Sequence, residues 1–341
     1  MDGISVAAVK AAWAAHAARI AEIVDSKDWD NEVDVDWAQT LKQHSATIID
    51  THIFGPRKSD TETLDPVVTE GLYAILKKNP RSWRMLGLDY RPREMSSTVL
   101  AAKIAPGTTV TRMFLIDRYN LERLKNTCSI SDRVSTTEAV AALLWRCAVR
   151  ARTGLDEQNR DEPSTLMMAM DVRNDVSPTI TDGFLGNAVL YSHTCSTTRQ
   201  LSNRQTSLGS ITNELRTSLR EHRQPQVILE TLQLAASIPD VHNLGLLHPT
   251  WLANDVVFSS LYKLPFYDIS WGNTFGEQGT PDYFRFPQGV FDGVCFLMPR
   301  RKDGSVELQI TMTEAHMQNL VQDLEFRNYA AQWAPSCKPA M

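Results

Sequence analysis

The residue types that most often carry chemistry are scattered in this sequence. Among its eight histidines no pair has the spacing of metal ligands, and His242 and His248 lie in a loop-like stretch without a neighbouring cysteine. The five cysteines are odd in number and form no CxxC pair, which favours reduced thiols over a disulfide framework. No GxGxxG follows a predicted strand, and the motifs GxxxxGK(S/T), HExxH and GxSxG do not occur. These patterns give no support to a metal site, a dinucleotide-binding fold, a P-loop or a nucleophile elbow.

Two places have a spacing with a direct physical meaning. Ser135 and Glu138 form the Ser-x-x-Glu capping box that starts a helix, and Thr136 and Thr137 lie between them. Asp2 lies where the N-cap of an opening helix is expected. Helix capping alone accounts for Ser135 and Asp2, so their spacing by itself assigns them no chemistry.

The elements that must position these residues alternate irregularly between helices and strands. The opening stretch has one apolar helical face, with Lys10, Arg19 and Glu22 off it; the face consists of Val6, Val9, Trp13, Ala17, Ile20 and Val24. The clearest helix is STTEAVAALLWRCAVRAR, and further helices are predicted for PVVTEGLYAILKKN, RYNLERLKNTC and SLGSITNELRTSLREH. Strands are predicted for TRMFLID, TLMMAMDV and GNAVLYSHT. The stretch RSWRMLGLDYRPREMSS is expected to be a loop.

The C-terminal part of the sequence predicts a β-hairpin followed by a helix. Asp303-Gly304 supplies the turn. The apolar residues that alternate behind it are Val306, Leu308, Ile310 and Met312. Thr313 then caps a last helix, whose apolar face is Met317, Leu320, Val321 and Leu324. The helices, strands and hairpin together predict an α/β or α+β protein.

Composition narrows the possible partners. At 341 residues, with 43% apolar and 22% charged residues, the chain is long enough for two globular domains with real cores. A net charge of -5 gives no general reason to expect nucleic acid or an anionic membrane, although Arg300-Arg301-Lys302 could meet a phosphate. The opening stretch has neither the pattern of a signal peptide nor that of a membrane span. We therefore expect a soluble cytoplasmic protein.

Four longer segments, which occur in a set order, carry more information than any single residue. They are RVSTTEAVAALLWRCAVRAR, MDVRNDVSPTITDGFLGNAV, FSSLYKLPFYDISWG and FLMPRRKDGSVELQITMTEAHMQNLVQD. Together they resemble the C-terminal half of the BAHD superfamily of CoA-dependent acyltransferases, and within it the fungal branch typified by trichothecene 3-O-acetyltransferase. The resemblance extends over residues 105–330.

The resemblance implies an α/β fold of two domains, the CoA-dependent acyltransferase fold also found in chloramphenicol acetyltransferase. On this basis residues 1–105 are expected to be a remnant of the N-terminal domain with the crossover connection, and residues 106–341 the C-terminal domain. The catalytic motif of the family is H-x-x-x-D-G, followed by a helix similar to ISVAAVKAAWAAHA. Asp2-Gly3 matches its D-G, so the first domain is expected to be incomplete, with the motif histidine three residues upstream of Met1.

Members of the family bind an acyl-CoA and a small-molecule alcohol or amine in a tunnel between the two domains. The histidine takes the proton of the acceptor, which attacks the thioester, and a hydrogen-bond donor stabilises the oxyanion of the tetrahedral intermediate. The resemblance thus implies acyl-CoA, by likeness acetyl-CoA, as co-substrate, and no permanently bound cofactor. The implied acceptor is a hydroxyl of a fungal secondary metabolite such as a trichothecene-type mycotoxin, and the implied state is a monomer.

The resemblance also carries roles to particular residues. The helix start at Ser135, Thr136 and Thr137 matches a segment that contacts the CoA pyrophosphate, and free N–H groups and hydroxyls at a helix N-terminus suit an anion. Asp2 is implied to fix the turn of the catalytic motif. Ser259 matches a hydroxyl that donates to the oxyanion, and a plain hydroxyl on the surface of a strand is the equal alternative.

Two positions depart from the pattern of the family. Leu261 replaces the tryptophan of relatives and cannot donate a hydrogen bond. The D-F-G-W-G landmark is matched by Ser270–Thr274, which keeps only Gly272, or by Asp268–Gly272 with the register shifted by two residues. A plain core role is at least as good an interpretation of Trp271 as any special one.

Two further motifs match the family near its domain interface, where structural roles are expected. They are Asp171-Val172-Arg173 and Gly186-Asn187. Two hypotheses follow for the whole protein: an active O-acyltransferase, or a truncated family member without catalysis. The order of the four segments favours the first, and the altered landmark with Leu261 favours the second.

Overall fold

The computed structural model describes Lys10, Ala14 and the ranges 73–90, 109–130, 133–153, 161–176, 187–238, 244–246, 254–272, 279–287, 289 and 291–333. Lys10 and Ala14 are both helical, as predicted for the opening stretch. Asp2, Gly186, the two positions 273 and 274 and the apolar face predicted for the opening helix lie outside these ranges.

The described chain contains short helices and strands in an irregular order. In sequence they are α1 (Pro80–Leu86), β1 (Leu88–Tyr90), β2 (Thr109–Ile116), α2 (Arg118–Cys128), α3 (Thr136–Thr153), β3 (Pro163–Asp171), α4 (Arg173–Val176), β4 (Val189–Thr197), α5 (Thr198–Ser202), α6 (Leu208–His222), α7 (Pro225–Ser237), β5 (Leu244–Leu246), β6 (Val256–Ser260), β7 (Val294–Leu297), β8 (Val306–Thr313), α8 (Glu314–Gln322), α9 (Leu324–Arg327) and β9 (Ala331–Gln332). None of these helices is long and apolar enough to cross a membrane.

Seven strands form one mixed sheet in the order β4-β3-β6-β7-β8-β2-β9. Strand β6 is parallel to both of its neighbours, β3 and β7, and the remaining pairs are antiparallel. Strands β7 and β8 form the predicted hairpin, and β8 also pairs with the whole of β2. A separate two-stranded sheet joins β1 to β5. The mixed α/β class is therefore confirmed.

Helix α3 packs on one face of the large sheet. Its predicted apolar face is at most 1% exposed: Val140, Leu143, Leu144, Cys147 and Ala148. Trp145 is also fully buried, and its Nε1–H donates to Ser164 Oγ at 2.8 Å, while Ser164 Oγ donates to the Asn254 carbonyl at 2.6 Å. Because a buried polar group costs free energy when it is unpaired, these two hydrogen bonds fix α3 against β3 and the start of β6.

The opposite face of the sheet is also covered at β8, which the sequence pattern did not predict. The alternating apolar residues of β8 are fully buried as expected, but Glu307, Gln309 and Thr311 between them are at most 2% exposed. Arg285 donates to the two carboxylate oxygens of Glu307 at 2.7 and 2.9 Å. Gln309 exchanges hydrogen bonds with the backbone of Phe286. The polar side of β8 is therefore satisfied by the loop that carries Arg285 and Phe286.

The prediction of a loop for RSWRMLGLDYRPREMSS is wrong, because this stretch contributes to helix α1 and strand β1. The side-chain oxygen of Asn79 caps the helix by accepting from the N–H groups of Arg81 and Ser82 at 3.1 and 3.3 Å. Pro80 occupies the first turn, and Gly87 ends the helix with a φ of 68°. Asn, Pro and Gly at these positions are ordinary helix start and stop residues, so the sequence did contain the necessary signals.

The last predicted helix ends earlier than its apolar pattern indicated. Thr313 caps α8 as predicted. Asp323 then ends α8 and caps α9 by accepting from the Phe326 N–H at 2.9 Å. Leu324 consequently leaves the apolar face and is 72% exposed. Its assignment to that face is wrong, because a capping aspartate interrupts the helical period.

Candidate functional site

The start of helix α3 has the capping geometry that its sequence predicted. The Ser135 N–H donates to Glu138 Oε2 at 2.8 Å, and the Glu138 N–H donates to Ser135 Oγ at 3.2 Å. Thr136 is buried and Thr137 is half-buried. Among the residues that the structure describes, the backbone N–H groups of Thr136 and Thr137 have no acceptor. The helix end therefore presents unpaired donors and hydroxyls, an arrangement that suits an anion.

Glu138 adds a carboxylate to this turn, and its charge is balanced. Arg216 Nε donates to Glu138 Oε1 at 3.1 Å, and Arg216 Nη2 donates to Oε2 at 3.3 Å. Burial alone would raise the pKa of Glu138, but the hydrogen bonds from Arg216 and Ser135 hold it below its ordinary value. The carboxylate is thus ionised and neutralised at neutral pH, so the positive end of the helix dipole is preserved.

The end of strand β6 meets this turn through one hydroxyl contact. Thr137 Oγ1 lies 3.1 Å from Ser260 Oγ. Ser260 is the last residue of β6, and its Oγ also accepts from the Tyr262 N–H at 3.4 Å. The helix start and the strand end, which lie far apart in the sequence, are therefore in direct contact. Ser260 was not among the site residues predicted from the sequence.

Ser259 points away from the start of α3. Side chains alternate along a strand, and Val256 and Phe258 lie in the core beneath α3 on the same side as Ser260. Ser259 is half-buried on the other face of the sheet, and its hydroxyl has no hydrogen-bond partner in the described part of the chain. The structure therefore groups the helix start with Ser260 and places Ser259 across the sheet. The alternation along β6 was the signal available in the sequence.

Leu261 and Trp271 belong to an apolar cluster beside this strand end. Leu261 is 7% exposed and packs with Phe266 and Ile269, and the partly buried Trp271 packs against the same cluster. The backbone N–H of Trp271 donates to the Gly279 carbonyl at 2.6 Å. These contacts support the core interpretation of Trp271. They also explain how a leucine fits at position 261, since its surroundings are apolar.

Gly272 adopts a conformation that requires glycine. Its φ is 82°, in the left-handed region. A Cβ atom added to Gly279 would stand 2.8 Å from the Gly272 carbonyl oxygen, so the two glycine backbones approach each other directly. Gly272, which both alignments of the altered landmark keep, therefore lies where a side chain would be strained.

Lys10 and Ala14, the two described residues of the opening stretch, contact the same apolar cluster. Ala14 is fully buried in it. Lys10 Nζ lies 4.8 Å from the ring centroid of Phe284 and 5.4 Å from that of Phe266. Lys10 is predicted to lie off the apolar face of the opening stretch, and its ammonium group lies over aromatic rings, which attract a cation.

The motif Asp171-Val172-Arg173 forms a local ion pair. The Arg173 side chain is fully buried, and its Nη1 lies 2.8 Å from Asp171 Oδ1. Asn187 Oδ1 accepts from the Val189 N–H at 3.3 Å. Both contacts support the structural roles expected for these motifs. In the basic cluster Arg300-Arg301-Lys302, Arg301 Nη1 lies 3.1 Å from the buried Glu307. One of the three positive charges of this cluster is therefore already paired.

Among the described residues, the other titratable groups offer no second reactive centre. Within the described ranges, no group of three or more His, Cys, Asp and Glu side chains could hold a metal ion. Burial raises the pKa of Cys128 to about 11 and that of Cys295 to about 12, so both thiols stay protonated at neutral pH. Burial also lowers the pKa of His222, which keeps this imidazole neutral.

The segment that contains α3, β6 and the hairpin identifies the class of the protein. Residues 107–327 match the model of the Transferase family. This range is well over half of the chain, and it includes both the helix start at Ser135 and the strand end at Ser260. The chain therefore belongs to the Transferase family, the BAHD acyltransferases.

Curated relatives of this family are longer than the chain. The chain is 28% identical over 267 residues to eremophilane O-acetyltransferase ORF8 of Penicillium roqueforti (strain FM164), and the match covers 75% of this chain and 55% of the relative. Eremophilane O-acetyltransferase prx11 of Penicillium rubens (strain ATCC 28089 / DSM 1075 / NRRL 1951 / Wisconsin 54-1255) matches with the same identity and coverage. The chain thus spans about half the length of these relatives.

Solved structures show the same fold. TRI101 of F. sporotrichioides, complexed with coenzyme A and T-2, superimposes with a TM-score of 0.60 at 22% identity, over 74% of this chain and 55% of that one. Apo TRI101 of F. graminearum gives a TM-score of 0.56 at 24% identity, over 66% and 49%. At these identities the likeness establishes the fold alone.

Proposed function

We propose that this protein is a CoA-dependent O-acyltransferase that moves an acetyl group from acetyl-CoA to a hydroxyl of a fungal secondary metabolite. The observation that carries the proposal is the contact between Thr137 and Ser260 in a member of an acyltransferase family, because it joins an anion-binding helix end to the end of a central strand. The names of the Penicillium relatives and the T-2 bound to TRI101 support an acceptor alcohol of the eremophilane or trichothecene type.

The CoA pyrophosphate is assigned to the start of α3. The unpaired N–H groups of Thr136 and Thr137 and the hydroxyls of Ser135 and Thr137 are the donors. Arg216 neutralises Glu138, so the nearby carboxylate does not repel the phosphates. A ligand held here passes the end of β6, because Thr137 contacts Ser260.

Ser259 and Asp2 are assigned to the reaction end of the site. We propose that the pantetheine arm of CoA passes the end of β6 and brings the thioester to the other face of the sheet, where the Ser259 hydroxyl, which has no partner among the described residues, donates to the oxyanion. In the family the motif histidine removes the proton from the acceptor, and the motif aspartate fixes the turn. We assign the latter role to Asp2.

The wider organisation of the protein follows from the same assignment. Residues 1–105 are proposed to belong to the first acyltransferase domain with its crossover connection, and residues 106–341 to the second. The protein is proposed to act as a cytoplasmic monomer on two small molecules, acyl-CoA and an alcohol, without a permanently bound cofactor.

The test measures CoA binding and acyl transfer separately. Calorimetric titration with CoA is expected to show saturable binding at one site. Thr137→Val removes one donor to an anionic phosphate at nearly constant shape; a hydrogen bond to a charged group contributes about 1.5–3 kcal/mol, so the dissociation constant should rise roughly tenfold or more. Acetyl transfer is followed as thiol released from acetyl-CoA and as the mass of the product, with hydroxylated eremophilanes and trichothecenes as acceptors.

Ser207→Ala is the matched control for Ser135→Ala. Ser207 caps α6 as Ser135 caps α3, with its oxygen accepting from the Ser210 N–H at 3.0 Å. Of these two serine variants, only Ser135→Ala is expected to weaken CoA binding. A chain that binds no CoA refutes the assignment of the helix start, and CoA binding without transfer to any acceptor favours the non-catalytic family member. The assignment of Asp2 is tested by reading the genomic frame upstream of the Met1 codon for the motif histidine.

A further inference from the structure

A cavity of about 660 Å³ lies at the other end of α3, where its last turns approach α5, α8 and α9. Its volume is that of a small-molecule binding site. A helix rises about 1.5 Å per residue, so Arg150 in the cavity wall lies roughly 20 Å along α3 from Thr137. The cavity is therefore separate from the site proposed for CoA.

The two carboxylates in the cavity wall are already paired. Asp323 accepts from Nε and Nη2 of Arg150 at 3.0 and 2.9 Å, and from the Phe326 N–H at 2.9 Å. Glu325 lies 3.1 Å from Arg146 Nη1 and 2.7 Å from Arg150 Nη2. The acceptors of the wall are thus used by two of its three guanidinium groups.

The wall has more donors than acceptors. Arg204, its third guanidinium, has no ion pair or hydrogen bond to any residue within the described ranges. Arg146 is 3% exposed, and its Nε and the buried Ser202 Oγ also find no partner in this part of the chain. An unpaired buried donor costs about 1–3 kcal/mol. The side chains that line the cavity therefore carry one positive charge in excess.

We propose that this cavity binds a small molecule through a carboxylate or phosphate group held by Arg204 at the rim, because the described residues leave that guanidinium without an ion pair. The planar guanidinium matches both oxyanions in a bidentate geometry. The amides of Gln322 and Asn328 line the same cavity and supply further polar contacts to the rest of the ligand. Because the wall combines α3 with the α8–α9 turn and the residues after α5, the bound anion stabilises the folded state.

The test uses inorganic phosphate and citrate, each compared with sodium chloride at equal ionic strength. Wild-type protein is expected to show saturable heats of binding and a rise in Tm with at least one of the two anions. The anion that binds more tightly identifies the chemistry of the ligand. Arg204→Gln removes the charge of an exposed side chain, and it should raise the dissociation constant roughly tenfold or more.

Arg199→Gln is the matched control, because Arg199 is an exposed arginine of α5 that does not line the cavity. It should bind the anion as the wild type does, and circular dichroism should show both variants folded. The proposal is overturned if chloride reproduces the stabilisation, if neither anion binds saturably, or if the two variants weaken binding equally. Both variants should bind CoA normally, so this result does not depend on that for the acyltransferase site.

Discussion

The two ends of helix α3 differ in how their polar groups are used. At the start, the hydroxyls of Ser135 and Thr137 accompany unpaired N–H groups, and the single carboxylate is neutralised by Arg216. At the end, arginines meet carboxylates: Arg150 donates to Asp323, and Arg152 Nε lies 3.0 Å from Asp292 Oδ2 with both side chains at most 3% exposed. At the start of α3, backbone N–H donors have no partner among the described residues. At its end, the arginines are in ion pairs.

This difference follows from the helix dipole, and it separates ligand binding at the start of α3 from anchoring at its end. The N-terminal end of a helix attracts anions, and its C-terminal end is stabilised by basic side chains. In α3 the first property is left available to a ligand, and the second anchors the helix to the residues around β8 and α9. Variants at the two ends should therefore change different measured quantities.

The largest effect is expected from Arg152→Ala, which tests the anchor. The substitution leaves the Asp292 carboxylate buried without its counter-charge, and breaking a buried pair in this way costs about 3–5 kcal/mol. Urea denaturation should show this loss in the free energy of unfolding. Arg300→Ala, at an exposed arginine, is the control and should change stability by no more than about 0.5 kcal/mol. A loss no larger than that of the control would show that the pair is not an anchor.

The same pair also predicts how stability depends on pH. Burial would raise the pKa of Asp292, but the imidazole of His316, whose Nδ1 lies 3.7 Å from Asp292 Oδ2, and the charge of Arg152 hold it below its ordinary value. A pKa lowered by folding contributes stability above the unfolded value, near 4, and this contribution is lost as the pH falls through the folded value. Denaturation curves below about pH 4 should therefore show a steeper loss for the wild type than for Asp292→Asn. Parallel curves would contradict the role of Asp292.

Gly293→Ala should come next in size, because Gly293 lies beneath the same arginine. Its φ is 84°, and an added Cβ would overlap the Arg152 guanidinium and stand 2.9 Å from the Asp255 carbonyl oxygen. Gly304→Ala is the matched control, since φ there is 83° but the added Cβ would meet only the flexible Arg118 side chain. The control measures left-handed strain of about 1–2 kcal/mol, and Gly293→Ala should cost about 1–3 kcal/mol more through overpacking. If Gly293→Ala and Gly304→Ala lower Tm equally, the overlap with Arg152 makes no contribution to the loss of stability.

A smaller effect is expected at the start of the helix. Ser135→Ala removes the N-cap, and such a loss costs about 1 kcal/mol. Ser207→Ala removes the equivalent cap of α6 and should cost about as much in urea denaturation. The comparison of the two ends is sharpened if the two variants match in stability and differ in CoA affinity. It is weakened if Ser135→Ala leaves both quantities unchanged.

The smallest effect on stability is expected from Thr137→Val. It removes only the half-buried hydrogen bond to Ser260, so the free energy of unfolding should fall by about 0.5 kcal/mol. Thr137→Val is expected to lower CoA affinity strongly although it costs little stability. Arg152→Ala is expected to cost much stability and to leave CoA affinity almost unchanged. Calorimetry with CoA on both proteins measures this opposite order. The same order in both quantities would contradict the separation of tasks.

The sequence predicted those parts of α3 that depend on near neighbours. The capping box needs only four residues, and the buried face follows from the helical period, so both are confirmed. The partners of its two ends could not be predicted in this way. Ser260 is 123 residues from Thr137, and Asp323 is 173 residues from Arg150. Such contacts depend on strand order and register in a mixed sheet, which local patterns do not encode.

The errors in prediction have the same origin. Asn79, Pro80 and Gly87 mark a short helix, but the apolar content of that helix is too small for periodicity to identify it. Leu324 fits the helical period and yet lies outside the helix, because Asp323 caps the next one. In both places a capping residue outweighs the apolar pattern.

The place of β8 in the sheet has a consequence for synthesis of the protein. Ile116 of β2 pairs with Val306, about 190 residues further along the chain. Ribosomes add about 5–20 residues per second, so β2 emerges roughly 10–40 seconds before its partner strand. During that interval the backbone groups of β2 have no partner in β8, and Phe114, which is 1% exposed in the folded protein, lacks the Phe326 ring that packs against it. We therefore expect a nascent chain paused before Val306 to bind chaperones, until β8 joins β2 to the rest of the sheet.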